Sequence, residues 1–250
     1  MIETILEEIY KGKYVIGSDD KPKNAFPASL PYEDGKALYE TVVATKSART
    51  LEIGMAYGAS TLFILQALQV NGGGRHVAID PYQQTWWEGI GLKNIARAGH
   101  GEAVRLIEAP SHIALPHLLE SKERFDFIFI DGNHRFEYTL VDFFYADKLI
   151  PVGGSIMLHD VWLPSIKKVL SYICRNQRDA YKVEPAFHGA TRRGLSFWRA
   201  YYRCLRSAPF DILPAWYFAL YPLNRYCVLK KTNEVDLETL DADWNYYRPF

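Results

Sequence analysis

The stretch from Thr50 to Pro81 constrains the fold of this chain more than any other. Leu51-Glu52-Ile53-Gly54 reads as a buried strand, and Met55-Ala56-Tyr57-Gly58-Ala59-Ser60-Thr61 as a glycine turn opening into an apolar helix. His76-Val77-Ala78-Ile79-Asp80-Pro81 reads as a second strand that ends in a carboxylate. Strand, glycine turn, helix and strand make one half of a doubly wound sheet, which binds ligands beyond the carboxyl ends of its strands. Gly54 and Gly58 carry no Cβ, so the backbone of the turn can approach a ligand closely. Ser60 can cap the helix or donate a hydrogen bond to a ligand. Asp80 can accept both hydroxyls of a ribose.

The glycine spacing separates two ligand classes. A dinucleotide site uses G-x-G-x-x-G, which seats a pyrophosphate on the helix N-terminus. Here the spacing is Gly54-x-x-x-Gly58, with no third glycine in the turn and with Glu52 just before it. A carboxylate there suits a cationic amino-acid group better than a diphosphate. Many strand-to-helix turns carry glycine for packing alone, and Glu52 could instead pair with an arginine. The segment nevertheless resembles motif I of the class I S-adenosylmethionine-dependent methyltransferases.

From Asp34 to about Phe187, strand-like and helix-like segments alternate: a helix at 35–46 and strands at 49–54, 76–80, 104–108, 125–131 and 154–159. Two late strands follow, at 182–184 and 226–230. The expected fold class is α/β, a Rossmann-like doubly wound, mostly parallel sheet of about seven strands with an antiparallel last strand. Residues 1–33 read as an amphipathic helix and a Pro-rich linker in which prolines forbid regular structure, forming an N-terminal cap. Residues 34–187 read as the cofactor-binding domain, and residues 188–250 as an Arg/aromatic insertion with the final strand and tail. With 250 residues, 48% of them hydrophobic, the chain can bury one sizeable core without disulfides. Cys174, Cys204 and Cys227 form neither a zinc pattern nor a disulfide framework, so a reducing, cytoplasmic compartment is expected. The acidic N-terminus is unlike a signal peptide, and no apolar run approaches the ~20 residues of a membrane span.

A second region carries the reactive groups. Phe125-Asp126-Phe127-Ile128-Phe129-Ile130-Asp131-Gly132-Asn133-His134 reads as a central strand ending in Asp-Gly, and the strand near residue 155 ends in His159-Asp160. If these strands are neighbours, Asp131, His134, His159 and Asp160 form one cluster. Two carboxylates at a pocket mouth suit a hard divalent ion such as magnesium. A histidine near neutrality suits removal of a hydroxyl proton. Taken singly, Asp131 and Asp160 could each merely cap the following helix, and each histidine could be a satisfied, partly buried side chain. His76, His100, His112, His117 and His188 have no supporting cluster, and Asp142 reads as a structural pair partner. Trp86 and Trp87 could wall a pocket, but aromatics after a strand more often belong to the core.

Taken in order, Glu52, Gly54, Gly58, Ser60, Asp80, Ser111, Asp131 and Asp160 resemble the metal-dependent O-methyltransferases of the catechol type. The resemblance is closest to a bacterial family with Asp-Gly-x-His and His-Asp motifs that includes macrolide-sugar O-methyltransferases, and it covers roughly residues 34–175. It implies S-adenosylmethionine as cofactor, with Glu52 and Ser60 at its methionine part, Asp80 at the ribose and Ser111 near the adenine. Gly54, Met55, Ala56, Gly58, Pro81, Ala109 and Asp131 complete the implied cofactor contacts. The implied metal ligands are Asp131 and Asp160, and the implied acceptor is a small-molecule hydroxyl of a sugar, phenol or natural product. In the catechol enzymes an asparagine follows the second metal aspartate, whereas here that place is Val161; His159 or water fills the gap, or no metal binds. Their general-base lysine is replaced by His134. The implied catalytic set is therefore His134, Asp131, Asp160 and His159.

Between Arg192 and Arg225, arginines interleave with Phe197, Trp198, Tyr201, Tyr202, Trp216, Tyr217, Phe218 and Tyr221. Such a segment can be an aromatic lid over the acceptor, a homodimer surface, a hairpin resting weakly on anionic lipid, or an ordinary helical insertion. A homo-oligomer, a dimer, is the expectation. Zero net charge and the absence of a recognised module speak against nucleic acid. Two rival classes stay open: an NAD-dependent oxidoreductase, and a non-catalytic binding protein that keeps the cofactor fold.

Overall fold

The computed structural model describes residues 1–184 and 225–234. Within these residues seven α-helices and two sheets are found. The helices are α1 (Ile2–Glu7), which continues as a single π turn over Glu8–Gly12, α2 (Tyr32–Ala44), α3 (Ala59–Val70), α4 (Ile90–Arg97), α5 (Ser111–Glu120), α6 (Phe136–Leu149) and α7 (Pro164–Asn176). The strands are β1 (Tyr14–Ile16), β2 (Pro22–Asn24), β3 (Arg49–Ile53), β4 (Arg75–Ile79), β5 (Val104–Ile107), β6 (Phe127–Ile130), β7 (Ser155–Leu158), β8 (Tyr181–Glu184) and β9 (Cys227–Lys231). The interleaved arginine and aromatic residues before Arg225 lie outside the described residues.

The main sheet has seven strands in the order β5-β4-β3-β6-β7-β9-β8. β5 to β7 are parallel, and β9 runs antiparallel to both β7 and β8. The expected Rossmann-like sheet with an antiparallel last strand is therefore what forms. Side-chain alternation explains its three layers. Phe127 and Phe129 point into one core with α1, α2 and α3, while Ile128 and Ile130 point into the other with α5, α6 and α7. Both faces are covered, which is why β6 reads as an unbroken apolar run.

This strand order fixes where a ligand can sit. The chain winds outward from β3 through β4 to β5, then returns to place β6 on the other side of β3. The crevice between β3 and β6 is thus the topological switch point. The ladder continues past the strand ends: Gly54 N–H donates to Ile79 O at 2.9 Å, Asp131 N–H to Ile53 O at 2.9 Å and His159 N–H to Ile130 O at 3.1 Å. These bonds line up Gly54, Asp131 and His159 along one carboxyl edge.

The N-terminal region departs from the sequence reading. Its prolines do not exclude regular structure, because Pro22 opens β2, which pairs antiparallel with β1 in a two-stranded hairpin. Proline is tolerated as the first residue of an edge strand, where no ladder donor is required of it. Lys23 and Lys93 fasten the hairpin to the 88–93 region through Glu88 and Asp20, each at 2.5 Å.

Candidate functional site

The glycine turn after β3 is built by close backbone contact. Gly54 has φ of +92°, and a Cβ placed there would stand 2.3 Å from the Asp131 carbonyl oxygen. Gly58, at φ of +78°, is the N-cap of α3, the place the sequence offered to Ser60. Ser60 instead lies in the first helical turn and donates from Oγ to Glu52 Oε2 at 2.7 Å. Thr61 Oγ1 donates to Glu52 Oε1, and His76 Nε2 lies 3.1 Å from the same oxygen. Glu52 is completely buried, and its neighbours are hydroxyls and an imidazole rather than an arginine. It braces β3 against α3 from inside the fold.

Asp80 closes the turn from the next strand. Its Oδ2 accepts the Met55 and Ala56 amides at 3.1 and 2.8 Å, and its Oδ1 accepts the Tyr82 amide at 2.9 Å. Ala56 is held at φ of +46°, a conformation that L residues rarely adopt and that tends to occur at binding sites. Pro81 follows at the rim, Ala109 N–H bonds to Ile107 O at 3.0 Å just after β5, and Ser111 is the first residue of α5. Trp86 is not core: it is 66% exposed and stacks on Tyr82 with ring centroids 3.9 Å apart. Trp87 meets Tyr57 edge to face at 5.3 Å.

Asp131, His134, His159 and Asp160 do come together, because β6 and β7 are neighbours. His134 Nε2 lies 3.4 Å from Asp131 Oδ1 and 3.1 Å from Asp160 Oδ2. Neither aspartate caps a helix: the N-cap residues of α6 and α7 are Arg135 and Leu163. Asp160 adopts φ of +49°, so the end of β7 holds a strained backbone beside the cluster. Hydrogen bonds donated to Asp131 and Asp160 push the His134 pKa up to about 9 against the opposing effect of burial. Burial raises the Asp160 carboxyl, but His134, His159 and Trp162 outweigh it and hold the group low, at about 2. Asp131 is likewise held below the usual carboxylate range, with His159 and His134 overcoming burial.

His159 takes a different position from the one its motif suggested. Its Nδ1 lies 3.1 Å from Asp131 Oδ1 and its Nε2 3.1 Å from Asp34 Oδ2, so both ring nitrogens are engaged by carboxylates. An imidazole bonded to two carboxylates donates from both nitrogens and has no lone pair to offer an ion. The groups whose ligand atoms lie within 4.8 Å of one another are Asp131, His134 and Asp160. His134 thus stands where the sequence reading placed His159.

Two residues of the site were missed in the sequence. Asp34, 7% exposed in the first turn of α2, supports His159 from 125 positions away, and nothing in its local motif signals that contact. Trp162 lies two residues after Asp160, is 56% exposed and donates from Nε1 to Asp160 Oδ1 at 2.7 Å. A tryptophan two residues after the Asp of the His-Asp motif was the available signal.

Comparison with known proteins agrees with this geometry. Residues 51–161 match the family described as Methyltransferase domain. The caffeoyl-CoA O-methyltransferase of Populus kitakamiensis is 30% identical over 135 residues, covering 51% of this chain and 53% of that protein. Tricin synthase 2 of Oryza sativa subsp. japonica is 31% identical over 144 residues, covering 53% of this chain and 48% of that protein. The chain spans about half the length of the curated relatives it matches. Among solved structures, the O-methyltransferase from Bacillus cereus in complex with SAH superposes with a TM-score of 0.57 at 21% identity, covering 73% of this chain and 81% of that one. The O-methyltransferase TomG from Streptomyces achromogenes, in complex with SAM, gives a TM-score of 0.59 at 15% identity, covering 93% and 89%. At such identities the structural likeness establishes the fold. Over residues 51–161 the chain is therefore similar in sequence to a methyltransferase domain, and its sheet order is the fold of the O-methyltransferase structures on which it superposes.

Proposed function

We propose that this protein transfers a methyl group from S-adenosylmethionine to a hydroxyl oxygen of a small molecule. The observation that carries this reading is the Asp131, His134 and Asp160 cluster, placed at the switch point directly beside the glycine turn. The turn fits the cofactor on its own terms. Gly54 approaches the Asp131 backbone too closely for any side chain, which holds the carboxyl ends of β3 and β6 together at the switch point. Asp80 Oδ1 accepts one backbone bond and keeps capacity for a ribose hydroxyl. Ser111 borders the same cleft beyond β5. Glu52, although completely buried, fixes the turn through Ser60 and Thr61. Gly58, Met55, Ala56, Pro81 and Ala109 give the cleft its backbone outline.

S-adenosylmethionine supplies an electrophilic methyl on a sulfonium. The protein's part is to align the acceptor oxygen, exclude water and receive a proton. Held at about 9 by its two carboxylates, His134 is mostly charged near neutrality, so only its neutral fraction can receive the hydroxyl proton on Nε2, and that fraction grows as pH rises toward 9; Asp131 and Asp160 orient the acceptor. His159, clamped between Asp34 and Asp131, keeps the Asp131 carboxylate in place. Two carboxylates and an imidazole within 4.8 Å are a donor set that a divalent ion accepts. Asp131 and Asp160 would hold magnesium, which lowers the pKa of a hydroxyl it touches. Trp162 offers an exposed ring at the rim of the same cluster. Among the described residues no helix is long and apolar enough to cross a membrane. A cytoplasmic homodimer acting on a small molecule, without nucleic acid, is the setting we propose, and light scattering on the purified protein tests the dimer.

Calorimetric titration with S-adenosylmethionine and S-adenosylhomocysteine, with magnesium and with chelator, tests the reading. Micromolar binding supports it, and a magnesium-linked change in affinity supports Asp131 and Asp160 as ligands. Asp80→Ala should weaken cofactor binding while His134→Ala leaves it nearly intact. No binding under any condition removes the methyltransferase reading and returns the NAD-dependent and non-catalytic classes to consideration.

A further inference from the structure

The turn between β3 and α3 is under a constraint that its glycines do not explain. Gly58 N–H donates to Met55 O at 2.8 Å, which closes a turn with Ala56 and Tyr57 at its centre. Of these two, Ala56 has a positive φ, +46°, and Tyr57 does not. That pattern is the type II′ turn, whose first central place ordinarily belongs to glycine. An alanine stays left-handed there only if its neighbours hold its peptide groups. Asp80 Oδ2 holds the amide side, accepting Ala56 N–H at 2.8 Å. Gln83 holds the carbonyl side: its Nε2 donates to Ala56 O at 2.7 Å and to Asp80 Oδ2 at 3.4 Å.

Gln83 is completely buried, and its Oε1 meets no donor among the described residues. An orphaned buried oxygen is costly, and an apolar side chain of the same length would fill the place without one. Such a side chain could not donate. The two acceptors on one side of the amide fix which end is the nitrogen. Gly91, in the first turn of α4, leaves room for the contact, since a Cβ there would stand 2.6 Å from Ala56 O and 2.9 Å from Gln83 Oε1. Gln83 and Gly91 both follow β4, so the Ala56 carbonyl is drawn toward that side and away from the crevice between β3 and β6. We propose that Gln83 is a positioning residue for the cofactor: it pins the Ala56 carbonyl outside the crevice and helps to fill Asp80 Oδ2, which leaves Oδ1 for the ligand. The inference rests on the cofactor reading above. Without the clamp the strained peptide rotates, and its carbonyl competes for the space that the ligand needs.

The test is calorimetry with S-adenosylhomocysteine on Gln83→Met, which keeps the length of the side chain and removes the donor, made both in the unaltered protein and in an Ala56→Gly background, with thermal melts to confirm folding. In the unaltered background Gln83→Met should weaken binding by roughly tenfold, the scale of one buried hydrogen bond. In the Ala56→Gly background the same change should cost only about twofold, because glycine takes a positive φ at no steric cost and needs no clamp. A merely structural glutamine would lower the melting temperature and leave affinity alone. Equal losses in the two backgrounds, or a folded Gln83→Met that binds as the unaltered protein does, overturn the proposal. A second measurement needs neither variant nor cofactor: hydrogen exchange of the Gln83 side-chain amide, followed by nitrogen NMR. A clamped amide should exchange at least about a hundredfold more slowly than free glutamine, and exchange at the free rate refutes the clamp even if Gln83→Met does not fold. If the unaltered protein does not bind S-adenosylhomocysteine, the cofactor reading falls by itself while the exchange rate still judges the clamp.

Discussion

The two sides of the cleft use the same kind of group in opposite ways. On the β3 and β4 side, Glu52 and Asp80 are 0% and 3% exposed, and each has two or more protein donors. On the β6 and β7 side, the side chains of Asp131 and Asp160 are 20% and 21% exposed and share one half-open imidazole, His134. A carboxylate with several protein donors is a strut that holds the backbone around a ligand, even where, as at Asp80 Oδ1, one oxygen keeps a lone pair for that ligand. A half-open carboxylate paired with a histidine keeps capacity for a proton or a ligand. The difference separates frame from chemistry within one crevice, and substitutions on each side should fail in different ways.

The largest effect should come from the frame. Gly54→Ala puts a Cβ 2.3 Å from the Asp131 carbonyl oxygen and 2.8 Å from its carbonyl carbon, both rigid backbone, at φ of +92°. We expect a loss of roughly 4 kcal/mol or more in urea denaturation, or no soluble protein. Gly153→Ala is the control: its φ is +95°, with nothing within 4 Å of the new Cβ, so left-handed strain alone should cost about 1–2 kcal/mol. Equal losses in the two variants would show that the close approach of β3 and β6 carries no energetic weight.

Next comes a change on the reactive side that spares the frame. His134→Ala removes a side chain that is 40% exposed, so unfolding should shift by less than about 1 kcal/mol. Turnover with an accepted substrate should fall by roughly 10²–10⁴, the usual contribution of general-base catalysis. The affinity for S-adenosylhomocysteine should stay within about twofold. A variant that kept its turnover but lost the cofactor would invert the two sides of the cleft.

How much of this contrast the sequence disclosed depends on the range over which each signal acts. Strand and helix order was legible because burial on both faces writes itself into local periodicity, as in the Phe127–Ile130 run. The convergence of Asp131 with Asp160 was legible once their strands were taken as neighbours. What stayed hidden was which partner each side chain meets. Asp34 reaches His159 only because α2 packs near the end of β7, and no pattern within α2 encodes that contact. The role of Glu52 was obscured for a similar reason. A motif acid looks the same whether it faces a ligand or the hydroxyls of Ser60 and Thr61. Asp142 was read as half of a pair because a helical Asp usually is, and the structure shows no such partner among the described residues.

Asp142 is the case that tests the division itself, since it is as buried as Glu52 and yet unmet. A carboxyl carried from 3.8 to about 6 by burial binds its proton more tightly in the folded chain than in the unfolded one. Stability therefore falls as pH rises through that window, and above it the deficit is about 3 kcal/mol, an order-of-magnitude figure. Asp142→Asn keeps the shape and does not titrate. Its stability relative to the unaltered protein should grow from almost nothing near pH 4 to as much as about 3 kcal/mol at pH 7.5, read from urea midpoints at the two values. An advantage equal at both pH values would mean that the carboxylate is satisfied in the folded chain after all, and Asp142 would then join Glu52 as a strut. A pH-dependent advantage would instead mark a buried carboxyl that the fold keeps at a cost in stability.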